Sequence, residues 1–218
     1  WTSTYQWRKI YDHEFLYSGP LFTHQISHMW IDFRKIQDVY MRGKSIDYFE
    51  NSRRATYVQR QYAIDNPNKY DGYGVNCWGI TASDGPGPAN RIIKHRKRKF
   101  FGYDARGVPD GPDDGSIAPW AVVASLPFAP EIVLPSLEYF EHLQLREKNP
   151  YGFKATFNAT FADKSDPLQP WVSPFHYGLN QGPIVLMIEN YRSGLIWRLM
   201  RQCPYLVTGL RRAGFAGG

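Results

Sequence analysis

The sequence has few cysteines and no long apolar run. It contains two cysteines, Cys77 and Cys203, among 218 residues, and two cannot define a disulfide framework, so we interpret both as free thiols. No run of 18 apolar residues is present, whereas a membrane-spanning helix takes about 20, so we expect no membrane span. No signal peptide is recognisable, and the chain opens on Trp1, which suggests a processed or truncated product.

Charge is concentrated in one short segment. The net charge is +6, and residues 91–99 contain six Lys and Arg and no acidic residue, so this segment alone matches the whole excess. We interpret it as one loop and not as a basic face. Because no recognition motif accompanies it, we do not expect nucleic acid as a partner.

Aromatic residues are abundant. They make up 16% of a chain that is 43% hydrophobic and 21% charged, which is typical of a globular protein of one domain, or of two. Aromatic side chains suit a carbohydrate cleft, because sugar rings present C–H faces that stack on them. They equally suit a large core or a protein interface.

A turn followed by polar residues and then by an apolar helix occurs three times. A second, more polar helical pattern follows each, which gives three inner–outer hairpins joined by long loops. Hairpins of this kind suggest an all-α fold, an α/α toroid whose polar helix ends converge on one pocket. The predicted inner helices are 21–42, 116–126 and 180–193, and the predicted outer helices are 45–65, 129–145 and 195–212.

The polar residues at the three helix starts are candidate ligand-binding groups. Backbone N–H groups at a helix start are unpaired and favour oxygen-rich ligands. Asn180 has a simpler alternative role as a helix cap. The residues at these positions are His24 and Gln25, then Asp113, Asp114 and Ser116, then His176, Asn180 and Gln181.

The long segments 66–115 and 149–175 are interpreted as irregular loops, which in compact domains often carry function. Within the first, Trp78 and Asp84 could provide a stacking platform and a carboxylate. The alternative for Asp84 is an Asx turn with Gly85.

Three polar residues share one face of the first predicted helix. His24, His28 and Asp32 are spaced at i, i+4 and i+8, as metal ligands could be. We favour a hydrogen-bonded strip in the core, because metal sites usually carry a stronger motif. No metal or cofactor is therefore expected.

Five motifs carry a resemblance to a known family. The chain closely resembles the bacterial glycoamylase-like family, which contains endo-β-1,2-glucanases and is similar to a domain of cyclic β-1,2-glucan synthases. The match extends over nearly the whole chain in the family's order. The motifs are GPLFTHQISHMWIDFR (19–34), DYFENSR (47–53), CWGITASDGP (77–86), PDDGSIAP (112–119) and GPIVLMIENYR (182–192).

The resemblance implies a six-hairpin α/α toroid of roughly twice this length, with an inverting glycosidase mechanism and export to the periplasm or the medium. Residues 1–218 would be the C-terminal half of that domain. The N-terminal half, which carries the family's general-acid glutamate, is not part of this chain. Some relatives carry Asp where this chain has Asn180, and Asn cannot act as a base.

The predicted function is that of a carbohydrate-active domain acting on β-glucan, with an oligo- or polysaccharide as partner. An inverting hydrolase needs two carboxyl groups roughly 6.5–9.5 Å apart. This chain alone should be inactive, and should need the missing half or self-associate. The alternative is a non-catalytic glucan-binding or interaction remnant. Candidate catalytic residues are Asp84, Asp113 and Asp114, and candidate substrate-binding residues are His24, Gln25, Trp78, His176, Asn180 and Gln181.

Overall fold

The computed structural model of the chain describes residues 2–145, 150–162 and 169–217. The prediction of an all-α fold, an α/α toroid, is wrong, because only 41% of the described structure is helical and 19% is strand. Within the described residues no helix is long and apolar enough to cross a membrane. The helices are α1 (Val39–Gly43), α2 (Tyr48–Asp65), α3 (Pro119–Ala124), α4 (Pro130–His142), α5 (Gly178–Arg192), α6 (Leu195–Arg201) and α7 (Pro204–Arg212).

The described strands form five small antiparallel sheets. Four are pairs, β1–β2, β3–β11, β4–β7 and β5–β6, and the fifth has the order β10–β9–β8. The strands are β1 (Trp7–Ile10), β2 (His13–Leu16), β3 (Ile36–Gln37), β4 (Ala82–Ser83), β5 (Ala89–Ile93), β6 (Arg96–Phe100), β7 (Asp104–Ala105), β8 (Ser116–Ile117), β9 (Phe157–Ala162), β10 (Pro170–Val172) and β11 (Ala216–Gly217).

The predicted outer helix 45–65 is confirmed as α2. Its N-cap is Asp47, whose carboxylate accepts a 2.8 Å hydrogen bond from the Glu50 N–H, as N-cap carboxylates do. Ser45, at the predicted start of the helix, lies outside it and has a left-handed φ of 57°. Asn66 ends the helix in the left-handed conformation.

The predicted inner helix 21–42 is wrong. Two short 3₁₀ helices, Leu21–His24 and Ile26–Met29, replace it, and β3 and α1 follow. The carbonyl groups of His28 and Met29 accept hydrogen bonds from the Trp197 indole at 2.7 Å and the Asn190 amide at 3.0 Å. Side chains of α5 and α6 thus occupy acceptors that a continuing α-helix would need.

The other predicted helices are found with different bounds. Segment 116–126 contains β8 and the six-residue helix α3, and segment 129–145 contains α4, with Pro130 at its first position. Helix α5 begins at Gly178. The last predicted helix, 195–212, is two helices, because Pro204 cannot continue α6 and begins α7 instead.

The segments interpreted as loops contain most of the strands. The basic segment 91–99 is the β5–β6 hairpin, whose turn residues Lys94 and His95 have left-handed φ values of 50° and 61°. The buried helix α3 packs against α4 and α5 and forms the centre of the main core. Cys77 and Cys203 are both free.

Candidate functional site

Asp84 lies close to the ends of three strands, β4, β9 and β10. It follows β4 directly, and its carboxylate accepts hydrogen bonds from the hydroxyls of Thr156, at 2.8 Å, and Ser173. Thr156 immediately precedes β9, and Ser173 immediately follows β10. Only 8% of Asp84 is exposed. The two hydroxyl groups hold the carboxylate in one orientation.

Tyr177 lies near this carboxylate, and two further aromatic residues lie near Tyr177. Tyr177 caps the start of α5, and its phenol pKa is raised by burial and then by the nearby charges of Asp84 and Tyr103. The rings of Phe175 and Tyr177 lie 5.8 Å apart. Phe175 and Tyr103 are 55% and 67% exposed. Exposed ring faces beside an oriented carboxylate can stack on a sugar while the carboxylate meets its hydroxyls or a water molecule.

The α5 start adds polar groups beside Tyr177. The Gln181 amide donates to the Phe153 carbonyl at 3.5 Å, and the Asn180 N–H donates to the Tyr177 carbonyl at 2.9 Å. Both ring nitrogens of His176 are buried and have no hydrogen-bond partner within the described part of the chain. Burial, and then the charge of Lys154, lower the pKa of His176. The three predicted residues of this helix start therefore lie within four residues of Tyr177 along the chain.

Asp113 belongs to a tyrosine cluster. Its carboxylate accepts hydrogen bonds from the hydroxyls of Tyr73, at 2.6 Å, and Tyr62, at 3.0 Å. The Asn68 amide donates to the same carboxylate at 3.2 Å. Burial and then the charge of Asp113 raise the pKa of Tyr73. These contacts give Asp113 a structural role and take up both of its oxygens.

Asp114 is committed to an ion pair with Arg106. The guanidinium contacts both carboxylate oxygens, at 2.7 and 2.8 Å, and both side chains are fully buried. Arg106 also donates to the Ser83 carbonyl at 2.6 Å. Since Ser83 directly precedes Asp84, this buried pair positions the strand that presents the Asp84 carboxylate. Of the three predicted carboxylates, Asp84 is the one beside exposed aromatic rings.

Two predicted binding residues lie in the core. Trp78 is fully buried, and its indole N–H donates to the Ser136 hydroxyl at 2.9 Å. No ring face is open to a ligand, so the stacking prediction does not fit the structure. Gln25 is 1% exposed and donates to the Ala121 carbonyl at 2.6 Å and the Ser125 hydroxyl at 2.8 Å. It joins the first 3₁₀ helix to α3.

The His24, His28 and Asp32 strip is hydrogen-bonded, as predicted. His24 Nε2 contacts the Ser18 carbonyl at 3.2 Å, and His28 Nε2 contacts the Ser52 hydroxyl at 2.9 Å. Asp32 pairs with Arg34 at 2.7 Å. Over the described ranges, no group of three or more His, Cys, Asp or Glu is arranged to bind a metal.

Four residues near Asp84 were not among the predicted site residues: Thr156, Ser173, Tyr177 and Arg106. The sequence does predict the strand that follows Thr156, because Phe157, Ala159 and Phe161 alternate with polar residues as in a half-buried strand. Nothing in the sequence pairs Arg106 with Asp114. Their contact depends on the fold of the intervening turn.

Comparison with known proteins places the chain in a family. Residues 1–204 match the glycoamylase family, described as "Putative glucoamylase". The chain belongs to this family of carbohydrate-active proteins.

Three relatives illustrate the similarity. The chain is 33% identical, over 89% of its length, to an exo-β-1,2-glucooligosaccharide sophorohydrolase from Parabacteroides distasonis. A crystal structure from Bacteroides uniformis, described like the family as a "putative glucoamylase", has 38% sequence identity and a TM-score of 0.80 over 99% of the chain. The endo-β-1,2-glucanase from Chitinophaga pinensis, solved with sophorotriose and glucose, has 30% identity and a TM-score of 0.77 over 99%.

The chain spans only part of each relative. It covers 47% of the Bacteroides uniformis and Chitinophaga pinensis structures and 23% of the sophorohydrolase.

Proposed function

We propose that this chain is the part of a β-1,2-glucan-acting glycoside hydrolase that contributes the Asp84 carboxylate and the aromatic surface beside it. The observation that carries the proposal is the Asp84 carboxylate, oriented by Thr156 and Ser173 next to exposed rings. The substrate class rests on relatives whose names state β-1,2-glucan or its oligosaccharides.

In the proposed mechanism Asp84 is the base of an inverting hydrolysis. It takes a proton from the attacking water while a second carboxyl group, roughly 6.5–9.5 Å away, protonates the leaving oxygen. Phe175 and Tyr103 hold the sugar ring by stacking. The second carboxyl group is assigned to the other half of the domain, because Asp113 and Asp114 are both bound by structural partners.

Exposed apolar side chains on α5, α6 and α7 support the proposal that the other half of the domain packs on this chain. Leu179 and Val185 of α5 are 64% and 63% exposed, and Leu199 and Tyr205 follow on α6 and α7. Burying one such side chain contributes about 1.5–3 kcal/mol. The resemblance assigns this chain to the C-terminal half, and relatives of about twice its length match it over 99% of its residues.

The catalytic role is tested by the Asp84→Asn variant of the complete gene product, assayed for new reducing ends on β-1,2-glucan. Loss of a general base costs about 10²–10⁴-fold in rate, so we expect the kcat to fall by about that factor. Asp113→Asn is the matched control, and the folded fraction of this variant should retain most of the activity. Unchanged turnover by Asp84→Asn would contradict the assignment.

A second experiment uses the chain alone. With the chain alone we expect no more reducing ends than in a sample without protein. Self-association in analytical ultracentrifugation would indicate that a second copy covers the exposed apolar side chains. Turnover by the chain alone that Asp84→Asn abolishes would place both carboxyl groups within these residues.

A non-catalytic glucan-binding role is the alternative. This alternative is favoured because Asp113 and Asp114 are bound by structural partners, so that the Asp84 carboxylate alone of the three lies beside the aromatic surface. Binding of β-1,2-glucan by the complete protein without any turnover would support this alternative.

An exported location is also part of the proposal, and it rests on the family resemblance alone. Cell fractionation with an antibody against the chain tests it.

A further inference from the structure

A cavity lies away from the residues that hold Asp84. Its volume is about 470 Å³, and it opens between the two 3₁₀ helices, the N-terminal half of α2 and the C-terminal segment around Phe215. Asp84, Thr156, Ser173 and Tyr177 do not line it. The volume falls within the range of about 300–1,000 Å³ that is usual for small-molecule sites.

The lining of this cavity carries no formal charge. None of the described residues that line it is Asp, Glu, Lys or Arg. The two histidines in the lining are neutral at physiological pH, because burial lowers the pKa of His24 to about 4 and that of His28 to about 3. A buried charged ligand would find no counter-ion here, which is costly. The cavity therefore favours a neutral ligand.

The cavity has one aromatic wall and one polar wall. Phe215 packs against Phe33 and Tyr48, with ring centroids 5.7 and 5.9 Å apart. The polar wall includes hydroxyl groups of the 3₁₀ helices and α2, such as those of Ser27 and Ser52. A lining that combines aromatic rings with hydroxyl and amide groups suits a sugar, which presents both C–H and hydroxyl groups.

One ring nitrogen of His28 is buried without a hydrogen-bond partner among the described residues. Its Nε2 contacts the Ser52 hydroxyl at 2.9 Å, whereas its buried Nδ1 has no partner among the residues that the structure describes. A buried nitrogen without a partner is energetically unfavourable. This nitrogen is not exposed to the cavity, so the hydroxyl and amide groups of the lining supply the polar contacts to a ligand.

We propose that this uncharged cavity is an accessory binding site for a neutral glucose unit, separate from the Asp84 site. The choice of glucose among neutral polyols rests on the proposed function, whereas the neutrality and the mixed aromatic and polar lining rest on the cavity itself. Binding here would anchor one part of a glucan chain while another part meets Asp84.

The direct test is saturation-transfer NMR on the purified chain with glucose and with sophorose. For about 12 non-hydrogen atoms at drug-like efficiency, we expect a glucose Kd on the order of 1 mM. Glucuronate, the charged analogue, should bind at least about tenfold more weakly because its carboxylate would be buried unpaired. Equal binding of glucose and glucuronate, or no glucose binding, would overturn the proposal.

Variants locate the binding. Ser27 is exposed at the cavity, and its hydroxyl makes no hydrogen bond within the described residues. Ser27→Trp should therefore fill the entrance and weaken glucose binding at least about tenfold. Thr208→Trp adds the same indole on α7, outside the cavity, and should leave binding unchanged. Phe215→Ala removes the aromatic wall and should weaken binding about fivefold. Circular dichroism shows that each variant is folded.

The test of the accessory site can be distinguished from the test of the proposed function. If Ser27→Trp abolishes glucose binding and Asp84→Asn does not, the accessory site stands even where the complete protein proves inactive. If Asp84→Asn abolishes glucose binding and Ser27→Trp does not, the cavity proposal fails and the Asp84 site stands.

Discussion

Arg106 and Asp114 form a two-point ion pair that is completely enclosed by the protein. Their nitrogen–oxygen distances are 2.7 and 2.8 Å, and neither side chain is exposed. The same guanidinium donates to the carbonyl groups of Ser83 and Gly102. The pair therefore joins the turn before β8 to the strand that leads into Asp84, and its integrity should control both stability and the candidate site.

Asp114→Asn should destabilise the chain strongly. Removing the charge of one partner leaves Arg106 buried and unpaired, which typically costs about 3–5 kcal/mol. Asp110→Asn is the matched control, because Asp110 pairs with Arg8 at the surface, where an ion pair contributes about 0–1 kcal/mol. Urea unfolding measures both. Equal losses for the two variants would show that the enclosure of the Arg106–Asp114 pair does not matter.

Gly107→Ala should also destabilise the chain. A Cβ atom at Gly107 would lie 2.4 Å from the Gly19 carbonyl carbon and 2.6 Å from the Pro20 nitrogen. Backbone atoms cannot rotate away, so we expect a cost of about 1–3 kcal/mol. Gly182→Ala, within α5, meets nothing within 4 Å and should be neutral or stabilising by up to about 1 kcal/mol. The prediction fails if thermal melting ranks the two variants in the opposite order.

The stability of the chain should fall as the pH drops from about 6.5 to about 4. Burial lowers the pKa of His24 to about 4 and of His28 to about 3. Below pH 6.5 the unfolded chain binds protons that the folded chain does not, so each histidine lowers the free energy of unfolding by up to about 1.4 kcal/mol per pH unit. Urea titrations at several pH values give the slope. His24→Gln should reduce it, and an unchanged slope would contradict this explanation.

The basic hairpin should not contribute to glucan affinity. A neutral sugar gains little from cationic side chains, so changing Arg96, Lys97 and Lys99 to Ser should leave glucan binding by the complete protein unchanged. Arg98 differs from these, because it donates to the Asn68 and Lys69 carbonyl groups at 2.7 and 3.0 Å. Arg98→Ser should therefore cost about 1–3 kcal/mol of stability. A tenfold loss of affinity in the triple variant, measured by calorimetry, would contradict the first expectation.

The elements that the sequence predicted well depend on local interactions. Helix α2 begins after Asp47, whose carboxylate accepts a hydrogen bond from the N–H group three residues later. Helix α4 begins at a proline in its first position. Cap and proline effects act within one turn, so neighbouring residues are enough to show them. The family was also evident from the sequence, because its motifs are contiguous and nearly all of the chain matches it.

The tertiary structure decided what distant residues make together. Strands β4 and β9 pair with β7 and β8, which lie more than 20 residues away along the chain. The carbonyl groups of His28 and Met29 bind side chains more than one hundred and sixty residues away. Such contacts replaced the predicted 21–42 helix with 3₁₀ turns. Burial of Trp78 likewise followed from packing against α4.

The sequence alone determined that the chain belongs to a carbohydrate-active family and that Asp84 is a candidate carboxylate. It could not show which carboxylate is presented beside a ligand surface. The hydroxyl partners of Asp84 lie 72 and 89 residues away, whereas Asp114 is neutralised by Arg106 only eight residues before it. Hydrogen bonding and burial depend on the positions of atoms in three dimensions, and the fold alone brings these atoms together.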